Sequence, residues 1–335
     1  MTKNSADRQR LRALPKAEIH VHLEGCLSRE QIIDLAAASG EPLPRPAEEL
    51  FSFANLAEFL GFLDWSCSLV RTEAQLEAMA YAFCERLAAQ GAGYADPIIN
   101  PAHWESWRDS LPAMIAALDL GFAAAERDGL PPVGLCLSLL RQQSADEAIE
   151  LLDMMIALRH PRVVALSIDG NEAAAGRTGP RFADTFRRAG AAGFRRTAHA
   201  GESSGPEGIR DAIRLLGVDR IDHGVRAAED PLLMDELRQR GLPLGITPTS
   251  NVGLGLYASY DDHPVDRLRR HGIPVSIGTD DPELLGTSLT EEYARMVETF
   301  GWDDAVLRDV ARTSIEASFA PPEIKRDLLD RLASW

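Results

Sequence analysis

The chain has 335 residues, of which 45% are hydrophobic, so it is long enough to bury a large core. Its 35 basic and 51 acidic residues give a formal charge of −16, and this balance, without a dense Lys/Arg run, argues against nucleic-acid or anionic-membrane partners. Four scattered cysteines without C-x-x-C spacing, a polar start and no apolar run of roughly 20 residues predict a soluble cytoplasmic protein without a signal peptide or membrane span.

Short β-like runs alternate with amphipathic helical segments along the chain. The eight predicted strands are AEIHVH, GYADPII, VGLCLSLL, VVALSIDG, FRRTAHAG, DRIDHG, PLGITPTS and PVSIGTD. Helical segments between them, such as DEAIELLDMMIALR and PLLMDELRQRG, carry apolar residues at i, i+3 and i+4. From the second strand on, strand ends lie about 25 to 40 residues apart, which is one strand–helix unit each. The sequence therefore predicts a (β/α)8 barrel that forms a single domain over residues 1–335.

The gap between the first and second predicted strands is longer than the others and holds extra helices. One of these helices, over residues 55–70, has two apolar stripes: Leu56, Phe59, Leu60 and Leu63 on one side, and Phe62, Trp65 and Leu69 on the other. A helix that is apolar on both sides is buried on both sides. Ordinary core packing and a lid over an apolar ligand pocket at the barrel mouth both explain this pattern, and the sequence leaves the two open.

Two histidines one residue apart, His20 and His22, end the first predicted strand. Residues i and i+2 of a strand point to the same face, so both imidazoles are expected to face the barrel interior. A single interior histidine is usually a hydrogen-bonded core residue. Two at this spacing, at the carboxyl end of a barrel strand, are better explained by a shared metal ion.

Three other predicted strands also end in polar motifs. These motifs are H-A-G-E at 199–202, D-H-G at 222–224 and T-D-D-P at 279–282. The carboxyl ends of barrel strands converge on one mouth, so these residues should meet the two histidines of the first strand there. Imidazole and carboxylate ligands without a nearby thiol favour zinc, with Fe(II) or Mn(II) as possible substitutes.

The motifs H-x-H-L-E-G, H-A-G-E, D-H-G and T-D-D-P, in this order and at barrel-sized intervals, resemble those of the adenosine/adenine deaminase family of metal-dependent aminohydrolases. The resemblance extends from residue 15 to the Ser-Phe pair near residue 318. It implies hydrolysis of the exocyclic amine of a small-molecule purine. The unrelated zinc deaminases with cysteine ligands are excluded, because the chain has no P-C-x-x-C element.

The resemblance also implies a role for each matching residue. The metal ligands would be His20, His22, His199 and Asp280. Glu202 would protonate the purine ring nitrogen beside the reacting carbon, His223 would hold and deprotonate the attacking water, and Asp281 would hydrogen-bond the imidazole part of the purine. These roles suit the chemistry, because an aromatic ring resists attack unless its nitrogen takes a proton. A carboxylic acid with a raised pKa in a dry pocket can donate that proton.

The resemblance leaves the substrate open. Gly170, whose backbone would contact the purine edge, and the run at 247–251 are more similar to the nucleoside branch. Glu24, at the place of the aspartate that meets ribose, and Asp222 are more similar to the free-base branch. The Asp96-Pro97 step departs from the usual second-strand pattern and leaves the local pocket shape unpredicted. Adenosine is the first expectation, with Glu24 accepting from its ribose at the mouth. Free adenine and a modified adenine or nucleoside are the alternatives.

Two competing functions are weaker. Hydrolysis of a cyclic amide by the same metal site is one, but such relatives generally lack the H-A-G-E glutamate and tend to use a metal-bridging lysine, which no predicted strand end offers. An inactive barrel retained for binding is the other, and it should have lost a ligand or Glu202, none of which is altered. Association into a homo-oligomer stays open.

The remaining histidines are expected to be structural. His103, His160 and His271 occur in loop or helix-end contexts, which are typical of surface or capping roles. His263 is expected to make a structural hydrogen bond. Cys26, directly after the first motif, is expected to be a small buried filler.

Overall fold

Parallel strands form the centre of the molecule, and helices surround them. The computed structural model describes residues 3–335, so Met1 and Thr2 of the polar start lie outside the described residues. The strands are β1 (Lys16–Glu18), β2 (Ala92–Ala95), β3 (Ile98–Ile99), β4 (Leu135–Leu140), β5 (Val163–Asp169), β6 (Arg195–Ala200), β7 (Arg220–His223), β8 (Leu244–Ile246) and β9 (Val275–Ile277). Each of the eight predicted strands overlaps one or two of these segments, although β1 ends at Glu18, before His20 and His22. The predicted (β/α)8 barrel is confirmed.

β2 and β3 are two halves of one barrel strand, interrupted at Asp96-Pro97. Proline has no backbone N–H and cannot donate to a neighbouring strand, which accounts for the break. The contact with the first strand nevertheless continues across it, since the N–H of Asp96 donates to Glu18 (3.0 Å) and the N–H of Ile98 donates to Val21 (2.8 Å). Nine strand segments therefore occupy eight barrel positions.

The barrel closes between its first and last strands. β1 pairs with β2, and β3 to β9 pair in chain order, all in parallel. Beyond β9, the N–H of Asp280 donates to the carbonyl oxygen of His20 (3.1 Å), and the N–H of His22 donates to that of Asp280 (2.7 Å). Asp280 thus lies in the seam of the barrel.

Helices cover the outer face and fill the long first connection. They are α1 (Lys3–Ala13), α2 (Arg29–Ser39), α3 (Leu56–Ser68), α4 (Glu73–Ala89), α5 (Leu111–Arg127), α6 (Ala145–Leu158), α7 (Glu172–Ala175), α8 (Gly179–Ala191), α9 (Pro206–Asp211), α10 (Pro231–Arg240), α11 (Pro248–Gly253), α12 (Val265–Arg270), α13 (Leu289–Phe300), α14 (Asp304–Ala317) and α15 (Pro322–Ala333). No helix within residues 3–335 is long and apolar enough to cross a membrane.

Local sequence signals set several helix ends. α2 begins at a capping box in which Ser28 and Gln31 exchange side-chain and backbone hydrogen bonds, and it ends at Gly40, whose φ of 72° suits glycine. The predicted strand PLGITPTS is too long, because Pro248 starts α11 and the strand itself ends at Ile246.

A buried ion pair lies in the barrel interior. Nη1 of Arg220 is 2.7 Å from Oδ2 of Asp96, and both residues are fully buried. The same oxygen accepts from the backbone N–H of Phe319 (2.7 Å), whose ring stacks 4.1 Å from the guanidinium carbon. The unusual aspartate of the second strand therefore balances the charge of a buried arginine.

Candidate active site

The carboxyl ends of the strands bring together the predicted histidines and Asp280. Ligand atoms of His20, His199, His223 and Asp280 lie within 4.8 Å of one another, and all four residues are buried. His22 joins them, with Nε2 2.9 Å from Nε2 of His199 and 3.4 Å from Oδ1 of Asp280. The predicted ligand residues therefore lie together, and His223 lies in the same group.

The geometry and chemistry of this group fit a divalent ion. Ligand atoms about 2.1 Å from a tetrahedral ion lie roughly 3.4 Å from each other. Oδ1 of Asp280 is 3.4 Å from Nε2 of both His20 and His22. Nδ1 of His20 lies 2.6 Å from the carbonyl oxygen of Gly245, which fixes the ring and directs Nε2 to the group. That Nε2 is buried without a hydrogen-bond partner among residues 3–335, as expected of a ligand atom.

Two residues of the group have strained backbones. His223 and Asp280 have φ values of 66° and 63°, in the left-handed region that residues other than glycine rarely adopt. Asp280 is held there by its two seam hydrogen bonds. The His223 ring is held by Thr247 Oγ1 and Asn251 Nδ2, which lie 3.2 and 3.3 Å from its Nδ1. Strain of this kind concentrates at functional sites, because the surrounding structure must enforce it.

Glu202 lies beside this group in a dry environment. Its Oε1 is 3.6 Å from Nε2 of His223, and the side chain is buried. Burial, with the charges of Asp280 and Glu172, raises the pKa of Glu202 to about 8. A carboxyl group that is still protonated near neutral pH can act as a general acid, which is the property the sequence prediction requires.

Glu172 fixes the backbone that carries Glu202, a role that the sequence reasoning missed. Its buried carboxylate accepts hydrogen bonds from the N–H groups of Gly201 (3.1 Å), Glu202 (2.8 Å) and Ser204 (3.3 Å). Nη2 of Arg141 lies 3.7 Å from Glu172 Oε1 and partly balances the charge. Glu172 ends the run Ile-Asp-Gly-Asn-Glu at 168–172, directly after the predicted substrate-binding Gly170. Its hydrogen bonds, however, reach a loop about 30 residues further along the chain, which the sequence pattern does not show.

Asp281 lies next to Asp280 and is also buried. Burial and the neighbouring charges, chiefly that of Asp280, raise its pKa well above the usual range of an aspartate, which favours the protonated form that can donate a hydrogen bond. Gly25 makes room for it: a Cβ at that position would lie 2.2 Å from Oδ1 of Asp281. The glycine of the H-L-E-G motif is thus required by close packing.

A cavity of about 50 Å³ adjoins the histidines and carboxylates. Its wall includes Glu202, Asp281 and the predicted substrate-binding Gly170, whose φ is 94°. The first apolar stripe of α3 forms another part of the wall, namely Leu56, Phe59, Leu60 and Leu63. In the second stripe Phe62 is buried, with its ring 5.3 Å from that of Phe53. The first stripe of α3 therefore lies in the cavity wall, and its action as a lid stays a prediction.

Glu24, predicted to bind the substrate, is fully buried: its Oε1 accepts from the backbone N–H of Asn100 (2.6 Å) and from Nε1 of Trp104 (2.9 Å), and its Oε2 has no partner among residues 3–335. Substrate binding by Glu24 stays a prediction, whereas the prediction for His103 is wrong. His103 was expected at the surface or as a cap, but it is buried in the cavity wall with Nδ1 2.6 Å from Asp64. Both lie where loops from different strands meet, which strand periodicity does not describe.

Other predicted structural roles agree with the contacts. Nε2 of His263 lies 3.0 Å from Oδ1 of Asn251, the residue whose amide nitrogen contacts the His223 ring. Cys26 is buried, and its thiol donates to the carbonyl oxygen of His22 (3.0 Å). These residues support the site through hydrogen bonds and packing.

A parallel barrel that gathers imidazoles and carboxylates at the carboxyl ends of its strands has the architecture of a metal-dependent hydrolase. A family model described as adenosine deaminase matches residues 15–335. An adenine deaminase of Rhodospirillum rubrum is 34% identical over 328 residues, which cover 97% of this chain and 97% of the relative. The chain belongs to the adenosine deaminase family, whose members are metal-dependent, and it is a hydrolytic deaminase.

Two solved structures agree with this assignment. An adenine deaminase from Arthrobacter aurescens has a TM-score of 0.90 and 32% identity, with 96% of this chain and 99% of the other covered. An amidohydrolase from Burkholderia ambifaria with bound zinc has a TM-score of 0.88 and 29% identity, with 100% and 96% covered. Together the relatives support a 6-aminopurine as the substrate and do not support adenosine in particular.

Proposed function

We propose that the protein hydrolyses free adenine to hypoxanthine and ammonia. The sequence-based preference for adenosine is set aside, because the relatives at about 34% identity are named adenine deaminases. The observation that carries the proposal is the enclosure of Glu24. A residue that meets ribose should have its carboxylate free for the hydroxyls, whereas Oε1 of the fully buried Glu24 already accepts from Asn100 and Trp104.

The proposed metal is zinc, held by His20, His22, His199 and Asp280. When bound, it would lower the pKa of a water molecule so that a hydroxide nucleophile is available at neutral pH. The donor set of three imidazoles and one carboxylate, with no thiol in the group, supports this choice. Fe(II) and Mn(II) stay alternatives.

The chain's own residues would manage the protons. Glu202 would protonate the ring nitrogen next to the amine-bearing carbon, so that negative charge does not build up on the ring. Burial, together with neighbouring positive charge, lowers the pKa of His223 well below its usual range, so the ring is neutral and can accept a proton from the attacking water. Nδ1 of that ring is held by Thr247 Oγ1 and by Asn251 Nδ2, an amide donor, and its Nε2 lies 3.6 Å from Oε1 of Glu202.

Asp281 and Gly170 would hold the purine. The protonated carboxyl of Asp281 would donate to an imidazole nitrogen of the base. Glycine is favoured at position 170 because φ there is 94° and a Cβ would lie 3.0 Å from Leu140 Cδ1, and its backbone would contact the edge of the ring. Attack on the carbon then gives a tetrahedral centre, and the proton that His223 takes from the water would pass to the amine, so that the C–N bond breaks and ammonia leaves.

The test is ammonia release from adenine, adenosine, 2′-deoxyadenosine and N6-substituted adenines. We expect adenine to have the highest kcat/KM, at least about a hundredfold above adenosine, because a site built for an N–H strongly rejects an analogue that lacks it. A kcat/KM for adenosine or an N6-substituted adenine that exceeds the value for adenine by the same factor would overturn the proposal.

A further inference from the structure

Asp169 ends β5 in the wall of the cavity and has one uncommitted carboxylate oxygen. Oδ1 accepts a hydrogen bond from Nδ2 of Asn100 at 2.5 Å. Oδ2 is buried and has no hydrogen-bond partner within the described part of the chain, and the side chain as a whole is 3% exposed. Asp169 is part of the cavity lining, next to Gly170.

Asn100 fixes which oxygen of Asp169 is uncommitted. The backbone N–H of Asn100 donates to Oε1 of Glu24 (2.6 Å), and its Oδ1 accepts from the N–H of Ala102 (3.0 Å). Because the amide oxygen is used in this way, the amide nitrogen must be the atom that faces Asp169. The Asp169 carboxylate is therefore held through Oδ1. Its Oδ2 accepts no hydrogen bond from the described residues and can accept one from a ligand.

A buried carboxylate oxygen without a donor destabilises the structure, so a ligand that supplies an N–H would bind more tightly than one that does not. A free purine base carries an N–H on its five-membered ring. A nucleoside carries the sugar on that nitrogen. Asp169 lines the cavity next to Gly170, the proposed contact of the purine edge, and its buried Oδ2 has no donor within the described residues, as an acceptor for such an N–H requires.

We propose that Asp169, oriented by Asn100, determines specificity for the free base: its Oδ2 accepts the hydrogen bond from the ring N–H that a nucleoside lacks. This inference rests on the proposed function, since it assumes that the substrate is a base. It assigns the discrimination against nucleosides to β5 and to the loop after β3, whereas the sequence prediction placed it at Glu24.

The test is a cycle that combines one substitution with one change in the substrate. In Asp169→Asn, the new amide oxygen would keep the hydrogen bond from Asn100. The new NH₂ group would then face the ring N–H, and two donors cannot form a hydrogen bond with each other. We expect kcat/KM for adenine to fall about a hundredfold, while kcat/KM for 9-methyladenine, which has no ring N–H, changes less than about threefold. An equal loss for both substrates would overturn the inference.

A second variant and a binding measurement cover the case of poor folding or turnover. Asn100→Ala keeps the charge of Asp169 but removes its orienting donor, so we expect a loss of about tenfold for adenine and little change for 9-methyladenine. Purine and 9-methylpurine can be measured as competitive inhibitors. Their Ki values for the unmodified enzyme and for Asp169→Asn give the same comparison without turnover. Asp266→Asn on α12 is the matched control, because the Asp266 carboxylate accepts from Arg269 and Trp302. This variant should leave unchanged the ratio of kcat/KM for adenine to that for 9-methyladenine, and the ratio of Ki for purine to that for 9-methylpurine.

The two proposals fail in different ways. If the unmodified enzyme does not hydrolyse adenine, or strongly prefers adenosine, the proposed function is wrong. If it hydrolyses adenine and Asp169→Asn affects adenine and 9-methyladenine equally, only the role of Asp169 is wrong.

Discussion

His22 and Asp280 are joined twice. The backbone N–H of His22 donates to the carbonyl oxygen of Asp280 at 2.7 Å, and Nε2 of His22 lies 3.4 Å from Oδ1 of Asp280. The first contact closes the barrel between its first and last strands, and the second belongs to the proposed metal group. Closure of the barrel and binding of the ion therefore depend on the same two residues.

Removal of the metal should lower stability as well as activity. We expect about one divalent ion per chain, and we expect a chelator to lower the melting temperature, because an ion that binds only the folded state stabilises it. His20→Ala and His199→Ala should lose the ion and the activity, and the chelator should no longer shift their melting temperature. Elemental analysis and calorimetry measure both effects, with the partly exposed His271→Ala as control. Full activity in rigorously metal-free protein would contradict the assignment.

Glu202→Gln should separate metal binding from catalysis. The amide can hydrogen-bond but cannot deliver a proton, so kcat should fall by about 10³ or more while the metal content and melting temperature stay close to normal. The exposed neighbour Glu207→Gln is the matched control and should keep the normal rate. If Glu202→Gln retained more than about a tenth of the rate, the proton would have to come from another group.

The activity should decline on the alkaline side. Glu202 is active as an acid, so the competent form is lost as the pH rises through its pKa, which burial and neighbouring charges raise to about 8. A bound cation would draw this pKa lower. We therefore expect kcat/KM for adenine to fall as the pH rises through a value at or below about 8, and a flat profile between pH 6 and 9 would speak against Glu202 as the acid.

Glu172→Gln tests the carboxylate that holds the Glu202 loop. The negative charge of Glu172 contributes to the raised pKa of Glu202, so its loss should move the alkaline decline to lower pH. The NH₂ group of glutamine would also oppose one of the three backbone N–H donors, and kcat should fall about tenfold. The pH profile is the decisive readout, because a purely structural role would lower the rate without moving the decline. Glu172→Asp, which restores the charge, should return the profile toward normal.

The two faces of α3 should respond differently to substitution. We infer that α3 acts as a lid through its first stripe, so Leu56→Ala, in the cavity wall, should raise KM for adenine with little effect on stability. Phe62→Ala, in the core, should lower the free energy of unfolding by about 3–5 kcal/mol. Steady-state kinetics and denaturant unfolding measure the two effects. If Leu56→Ala left KM unchanged, α3 would be only a packing helix.

Strand periodicity predicted the barrel and the residues that project from its strand ends. His20 and His22 alternate with buried apolar neighbours, so their common face could be deduced before any coordinates. Strand ends were less predictable. Pro248 starts a helix inside a run that has a β-like pattern, and Asp96-Pro97 interrupts a strand whose hydrogen bonds to the first strand continue on both sides of the break.

Contacts between loops were the part that sequence could not supply. Asn100 meets Asp169 across 69 residues, and His103 meets Asp64 across 39. Such pairs depend on how two irregular segments pack over the barrel mouth. Neither segment has the periodic pattern from which a contact could be predicted. The resemblance between motifs indicated residues for the proposed chemistry, but not those that orient them.

The buried pair of Asp96 and Arg220 joins distant parts of the chain into one unit. Asp96 comes from the break between β2 and β3, Arg220 from β7, and Phe319, which stacks on the guanidinium, from the segment after α14. Either charge alone in the barrel interior would be strongly destabilising. A half-barrel that ends before β7 would leave an uncompensated aspartate. We therefore infer that the chain folds in a single cooperative transition and that complementary fragments divided between β3 and β7 should be unable to fold separately.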